Sequence, residues 1–278
     1  MPPDNESTGD ENEGGASTLP GGAVDGTFVV KADGEVLRLR VSVPRAPVGF
    51  QAVLPAVRAL VDGSVELALQ AADRQGAPVS CKPDCCACCY YAPMLSPAEA
   101  RSVAALVDAL AEPRRSEIIA RFEQALERLR EAGLLQRYEQ TRRRELDGSS
   151  RAGYPGWHDE YLSLRVACPF LEDKRCSIYA QRPMACRSYL VRNDPAECAR
   201  IGGTLEQVAV RPSVARAAWM LGQEEMAHRS IMLVTALEWA RATPEAGQRA
   251  TGIQWLTRLK ASLDAAKDGA AESNGPAG

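Results

Sequence analysis

Aromatic residues make up only 5% of this 278-residue sequence and its β-branched runs are short, which argues against a large sandwich or barrel. Histidine is scarcer still, with two in the whole chain, so a His-rich catalytic metal site is excluded. No apolar run approaches the roughly 18–20 residues that a membrane-spanning helix needs, and residues 231–234 with their neighbours are the longest candidate. The first residues carry acids but neither a basic residue nor an apolar stretch, so they do not read as a secretory leader. G-x-G-x-x-G, G-x-x-x-x-G-K-[ST], H-E-x-x-H and G-x-S-x-G are all missing, and nothing marks a cysteine nucleophile with a base beside it. The expectation is a cytoplasmic protein that binds neither membrane nor nucleic acid.

What is present suits a folded core: 45% of residues are hydrophobic and 25% charged. The net charge of −3 is unevenly spread. Residues 1–26 hold six acids and no Lys or Arg, and residues 269–278 hold one more, so residues 27–268 stand at +4. Both ends are expected to be disordered tails, because they have too little apolar surface to offset ordering. Between them one globular domain is expected over 27–268: a hairpin and helices over 27–78, a cysteine-cluster region over 79–200, and C-terminal helices over 201–268. Asp33-Gly34 between two partly alternating runs signals the hairpin. Residues 51–75 have helical spacing interrupted at Asp62-Gly63, which suggests two short helices. Ser96-Pro97-Ala98-Glu99 is a capping box that opens a helix to about residue 110. Further helices are expected at about 114–132 and 134–146, then at 213–227, 229–242 and 244–267, the last opened by Thr243-Pro244. The fold class is mainly α with a small N-terminal β-hairpin, its helices packed around an irregular cysteine-rich core; a strict count makes it α+β.

The nine cysteines carry the chemistry. Cys81, Cys85, Cys86, Cys88 and Cys89 fall within nine residues, and Cys168, Cys176, Cys186 and Cys198 within 31. Without a secretory signal, such clusters read as metal ligands before disulfides, and vicinal cysteines pair only with backbone strain. The C-x3-C-x2-C-C spacing lets several sulfurs converge on one ion. Apolar residues are few around both clusters, so a metal is expected to supply the ordering energy there. The helical insert between the clusters can fold back as a hairpin, so the two are expected to share one site. His158, in Gly-Trp-His-Asp, reads as a loop residue rather than a ligand, and His228 is given no role.

These two segments resemble the CxxCxxCC or YkgJ-type family of zinc- or iron-chelating proteins. That family shows C-x3-C-G-A-C-C, then C-P-F-L, C-x-I-Y, R-P-x-x-C-R and a further cysteine. The resemblance implies metal ligands at Cys81, Cys85, Cys88, Cys89, Cys168, Cys176, Cys186 and Cys198. Cys86 stands where the family usually has glycine, which makes it a supernumerary thiol. The family is in turn similar to flagellin lysine N-methylases, thought to use an iron–sulfur cluster and S-adenosylmethionine. The flanks outside residues 81–198 carry no such motif.

Charge provides an independent check. Eight thiolates around two zinc ions would carry a net −4, costly to bury without counter-charge. Residues 165–192 hold six basic residues against Glu172 and Asp173, a balance of +4. Arg182 and Arg187, beside the cysteines, are the candidates to bind the cofactor from outside its ligand shell, by N–H to sulfur bonds. The cofactor is zinc or iron, the latter including a [4Fe–4S] cluster, since all-thiolate ligation suits both. The sequence leaves three roles open: a metal-binding protein, an iron–sulfur methylase-like enzyme, and a structural zinc module for metal handling or for a protein partner.

Overall fold

The computed structural model of the protein describes residues 19, 21–32, 34–146, 157–224, 230–243 and 247–272. It is mainly helical, with three small two-stranded antiparallel sheets among the described residues. The first sheet is the hairpin of β1 (Ala23–Ala32) and β2 (Glu35–Pro44), in which Ala32 faces Glu35. Gly34 takes the positive φ of 82° that a two-residue hairpin turn needs, while Asp33 lies outside the described residues. Phe28, Val30, Leu37, Val41 and Val43 alternate onto one buried face. β1 begins inside the stretch expected to be a tail, because Ala23–Gly26 pair through the backbone with Val41–Pro44 whatever their composition.

The hairpin lies on α1 (Leu54–Arg74), one continuous helix where two were expected. Gly63 is there for close approach. A Cβ on it would stand 2.5 Å from Leu39 Cδ1 and 2.6 Å from Leu37 Cδ1. α2 (Pro97–Asp108) starts at its capping box as read, with Ser96 Oγ accepting from the Glu99 amide and Glu99 accepting from the Ser96 amide. α3 (Arg114–Glu131) and α4 (Leu134–Leu146) fall on their sequence patterns, with Gly133 at φ 67° between them.

The C-terminal third departs further from the sequence pattern. α8 (Val214–Glu224) is helical as expected. Residues 231–242, expected to be all helix, instead begin as β6 (Ile231–Met232), pairing with β3 (Met94–Leu95), before α9 (Ala236–Ala242). Tyr138 fixes that strand, since its hydroxyl donates to the Ser230 carbonyl and accepts from the Met232 amide. α10 (Gly252–Glu272) is opened by Thr251, whose hydroxyl accepts from the Gln254 amide, and Pro244 lies outside the described residues. Ala265, Ala266, Ala270 and Ala271 carry the helix past residue 268, where the tail was expected to be near.

Between α4 and α8 run the short elements α5 (Trp157–Ser163), β4 (Leu171–Glu172), β5 (Arg175–Cys176), α6 (Met184–Ser188) and α7 (Pro195–Cys198). They lie where three hydrophobic clusters meet. Met184 belongs to the cluster under the hairpin, α1, α8 and α10. Phe170 and Ile178 belong to the cluster of α2, α3 and α9, and Val166 to that of α3, α4 and α5. The rings of Phe170 and Phe122 meet edge to face at 5.5 Å. The second cysteine segment is therefore anchored by apolar side chains, more firmly than its composition suggested. The first is not: the 3-10 turn Ala87–Tyr90 has no buried residue.

Candidate metal centre

The first cluster is a chain of tight turns. The amide of Cys85 donates to the Lys82 carbonyl at 3.0 Å, and that of Cys89 to the Cys86 carbonyl at 2.9 Å. Each turn brings thiols a few positions apart to one side of the backbone. Two further bonds tie the turns to the second segment. The Ser80 amide donates to the Val191 carbonyl at 2.9 Å, and the Cys168 amide to the Cys89 carbonyl at 2.8 Å. Cys176 is presented by the β4–β5 hairpin, whose turn residues Asp173 and Lys174 both have positive φ, 45° and 62°. Cys186 is carried by α6, which enters from Pro183.

Seven cysteines drawn from both clusters line one cavity of about 280 Å³: Cys81, Cys85, Cys88, Cys89, Cys168, Cys176 and Cys186. Tyr91, Phe170, Tyr179, Tyr189 and Leu233 form its apolar wall, and Lys82, Arg182 and Arg187 its positive one. Cys198 stands apart from that wall. It is buried, 4% exposed, and shares a void of about 10 Å³ with Cys81, Cys85 and Cys88. Cys86 lines neither space. Among the described residues no three His, Cys, Asp or Glu side chains already stand in an arrangement that would hold a metal ion. The thiols surround a common space without having closed on a point within it.

The thiols also differ in their electrostatics. Burial pushes the thiols of Cys81, Cys176 and Cys186 up, Cys168 up to about 12 and Cys198 up to about 11. Cys88 is the exception. A hydrogen bond from the Cys89 thiol, helped by the Arg182 charge, holds it below the ordinary thiol value and pushes Cys89 the other way. Burial thus favours the protonated form at Cys81, Cys168, Cys176, Cys186 and Cys198, and Cys88 alone is shifted toward the thiolate.

The two candidate arginines differ sharply. Arg187 is only 3% exposed and its donors are committed. Nη1 reaches both carboxylate oxygens of Asp62 at 2.5 and 2.6 Å, Nε donates to the Arg182 carbonyl at 3.0 Å, and Nη2 donates to the Ala180 carbonyl. It fastens α6 to α1. Arg182 lies 4.0 Å over the Tyr179 ring, and its buried Nε has no hydrogen-bond partner among the described residues. Its charge favours the thiolates of Cys81, Cys88, Cys176 and Cys186. Asp62 was missed from the sequence, having nothing to connect it with a residue 125 positions away. The tyrosines of the wall were missed too, although Tyr91 and Tyr189 each stand within three residues of a cysteine. His158 lies in α5 stacked on Trp157 at 4.1 Å, away from the thiol cavity, and His228 lies outside the described residues.

The donor set fits zinc or iron: soft sulfur ligands from both clusters face one space, with an unpaired buried N–H beside them. Residues 80–203 match the CxxCxxCC family model, described as a putative zinc- or iron-chelating domain. This is the family that the cysteine motifs resemble, and the hairpin and the C-terminal helices lie outside the match. No curated protein and no solved structure matches the chain.

Proposed function

We propose, from the premise that residues 80–203 are a zinc- or iron-chelating cysteine-cluster domain, that this protein holds its metal with the eight thiols of Cys81, Cys85, Cys88, Cys89, Cys168, Cys176, Cys186 and Cys198. The observation that carries the reading is the cavity itself, in which turns of the first cluster and three separate elements of the second present their sulfurs to one space. Cys88, whose thiol is held below the ordinary value, would be among the readiest of these sulfurs to bind an ion as thiolate. The remaining thiols lose their protons on loading. Arg182 supplies a positive charge and a donor to the metal-bound sulfurs. Arg187 lines the same cavity but has its donors engaged, and acts chiefly by holding α6 and with it Cys186.

Iron–sulfur occupancy is a second reading, favoured by size. A cavity of about 280 Å³ is far roomier than the roughly 10–15 Å³ that one water-sized sphere needs. Arginine donors to cluster sulfurs are also a known means of tuning such centres. Anaerobic purification followed by metal analysis tests both readings. Stoichiometric zinc or iron is expected, and brown protein absorbing near 400 nm would mark the cluster. Protein that takes up neither metal after anaerobic reconstitution would end the proposal.

A further inference from the structure

The eight thiols do not surround a single point, and their division follows the backbone. Ser80 and Cys81 are bound to the strand-like run after α6. The Ser80 amide donates to the Val191 carbonyl at 2.9 Å, and the Val191 amide donates to Cys81 Sγ at 3.4 Å. That run leads directly into α7, which ends at Cys198 and packs against the turn Ala87–Tyr90. The void there, about 10 Å³, is lined by four cysteines and otherwise by Ser80, Ala87, Tyr189, Val191 and Pro195. It is the size for one small occupant, and the four cysteines that line it are the number of thiolates a tetrahedral ion takes. Cys89 lines only the larger cavity, and its carbonyl accepts from the Cys168 amide at 2.8 Å, while its thiol donates to Cys88. The thiols of Cys168, Cys176 and Cys186 gather there with it, around the larger cavity with Arg182.

Resting on the chelation reading above, we infer that the cysteines form two four-thiolate sites rather than one. A closed site is made by Cys81, Cys85, Cys88 and Cys198. An open site is made by Cys89, Cys168, Cys176 and Cys186, and it faces the 280 Å³ cavity. Cys81, Cys85 and Cys88 stand at the boundary, since they line both spaces. The closed void assigns them to the first site, because without them Cys198 stands there alone. The closed site is then the structural one, joining the first cluster to α7. The open site adjoins a wall of tyrosines and basic side chains, and it is the one where metal exchanges or meets a further ligand.

Cobalt(II) serves as the probe, since its thiolate charge-transfer absorption counts ions and reports sulfur ligation. Anaerobic titration of the reduced full-length protein should saturate at two equivalents, one for each set of four thiolates. Cys198→Ser and Cys186→Ser should each keep one equivalent and half of the charge-transfer intensity, and the double variant should keep none. Saturation of the parent at one equivalent, or loss of all cobalt in either single variant, would overturn the division while leaving chelation intact. Loss of both equivalents in Cys88→Ser would do the same, by showing a thiolate shared between the ions. A parent that binds no cobalt would remove the chelation reading and this inference together. The unmutated protein provides a check free of folding artefacts. Loaded with zinc and treated with graded chelator, it should expose its cysteines to alkylation in two sets: Cys89, Cys168, Cys176 and Cys186 first, the other four later. A single set of eight would refute the inference.

Discussion

Arg182 and Arg187 sit five residues apart, and replacing each by leucine should break different things. Arg187 has its guanidinium wholly engaged, by both oxygens of Asp62 and by the carbonyls of Ala180 and Arg182. A hydrogen bond to a charged group contributes about 1.5–3 kcal/mol, and removing one partner of a buried pair costs about 3–5 kcal/mol. The Asp62 side chain is 52% exposed and regains water, so its share must be discounted. The expected cost of Arg187→Leu is therefore about 3 kcal/mol of metal-free stability, near the low end of that range. Arg182 makes one contact to lose, its stacking over the 38%-exposed Tyr179, worth about 0.5–1 kcal/mol at such a site. Arg182→Leu should accordingly leave the metal-free fold within about 1 kcal/mol of the parent while lowering metal affinity about 10–100-fold. Urea unfolding of the reduced apo-protein measures the first quantity, and competition with a chelator for zinc measures the second. An Arg187→Leu protein as stable as its parent, or an Arg182→Leu protein with unchanged affinity, would refute the reasoning.

Glu99 both caps α2 and accepts from the Met184 amide at 2.9 Å, so Glu99→Gln turns one of its amide partners toward an NH2 group. The expected loss is about 1–3 kcal/mol in urea melts. Cys86→Ser should leave metal content unchanged, whereas Cys85→Ser or Cys88→Ser should lower it, as metal analysis of the purified variants will show. The buried thiols set the alkaline limit. Thiols raised above the ordinary value of 9.0, to about 12 for Cys168 and about 11 for Cys198, favour the fold while protonated in it. Their contribution is complete below 9.0 and lost as pH climbs through 11–12, so apo-protein should weaken over that window in thermal melts and zinc-loaded protein should not.

Local signals were legible where chemistry and geometry coincide within a few residues. The capping box at Ser96, the Gly34 turn and the helix faces of α3 and α4 all form as their patterns require. Gly63 misled because a glycine in a helical pattern reads as a break, while its reason is the pair of leucines reaching over from β2. Ile231 and Met232 have helical spacing, yet they pair with a strand some 137 residues earlier, which no local pattern encodes. In the site, the residue types and the meeting of both clusters were readable. Their division was not: it depends on which of two adjoining spaces each residue lines, Cys198 the small void alone and Cys89 the larger cavity alone. Arg182 and Arg187 look equivalent beside their cysteines, and only the packing of α6 against Asp62 of α1 tells them apart.

The central claim is that sulfur from both clusters ligates the metal. X-ray absorption at the metal edge, on protein loaded anaerobically, tests it most directly. A first shell of sulfur alone, at about 2.3 Å for zinc, is the expected result. Either the number of bound ions or the sulfur count of the shell should fall when Cys85 or Cys176 becomes serine. A shell of nitrogen or oxygen, or metal content and sulfur shell both indifferent to the Cys176 substitution, would contradict the account.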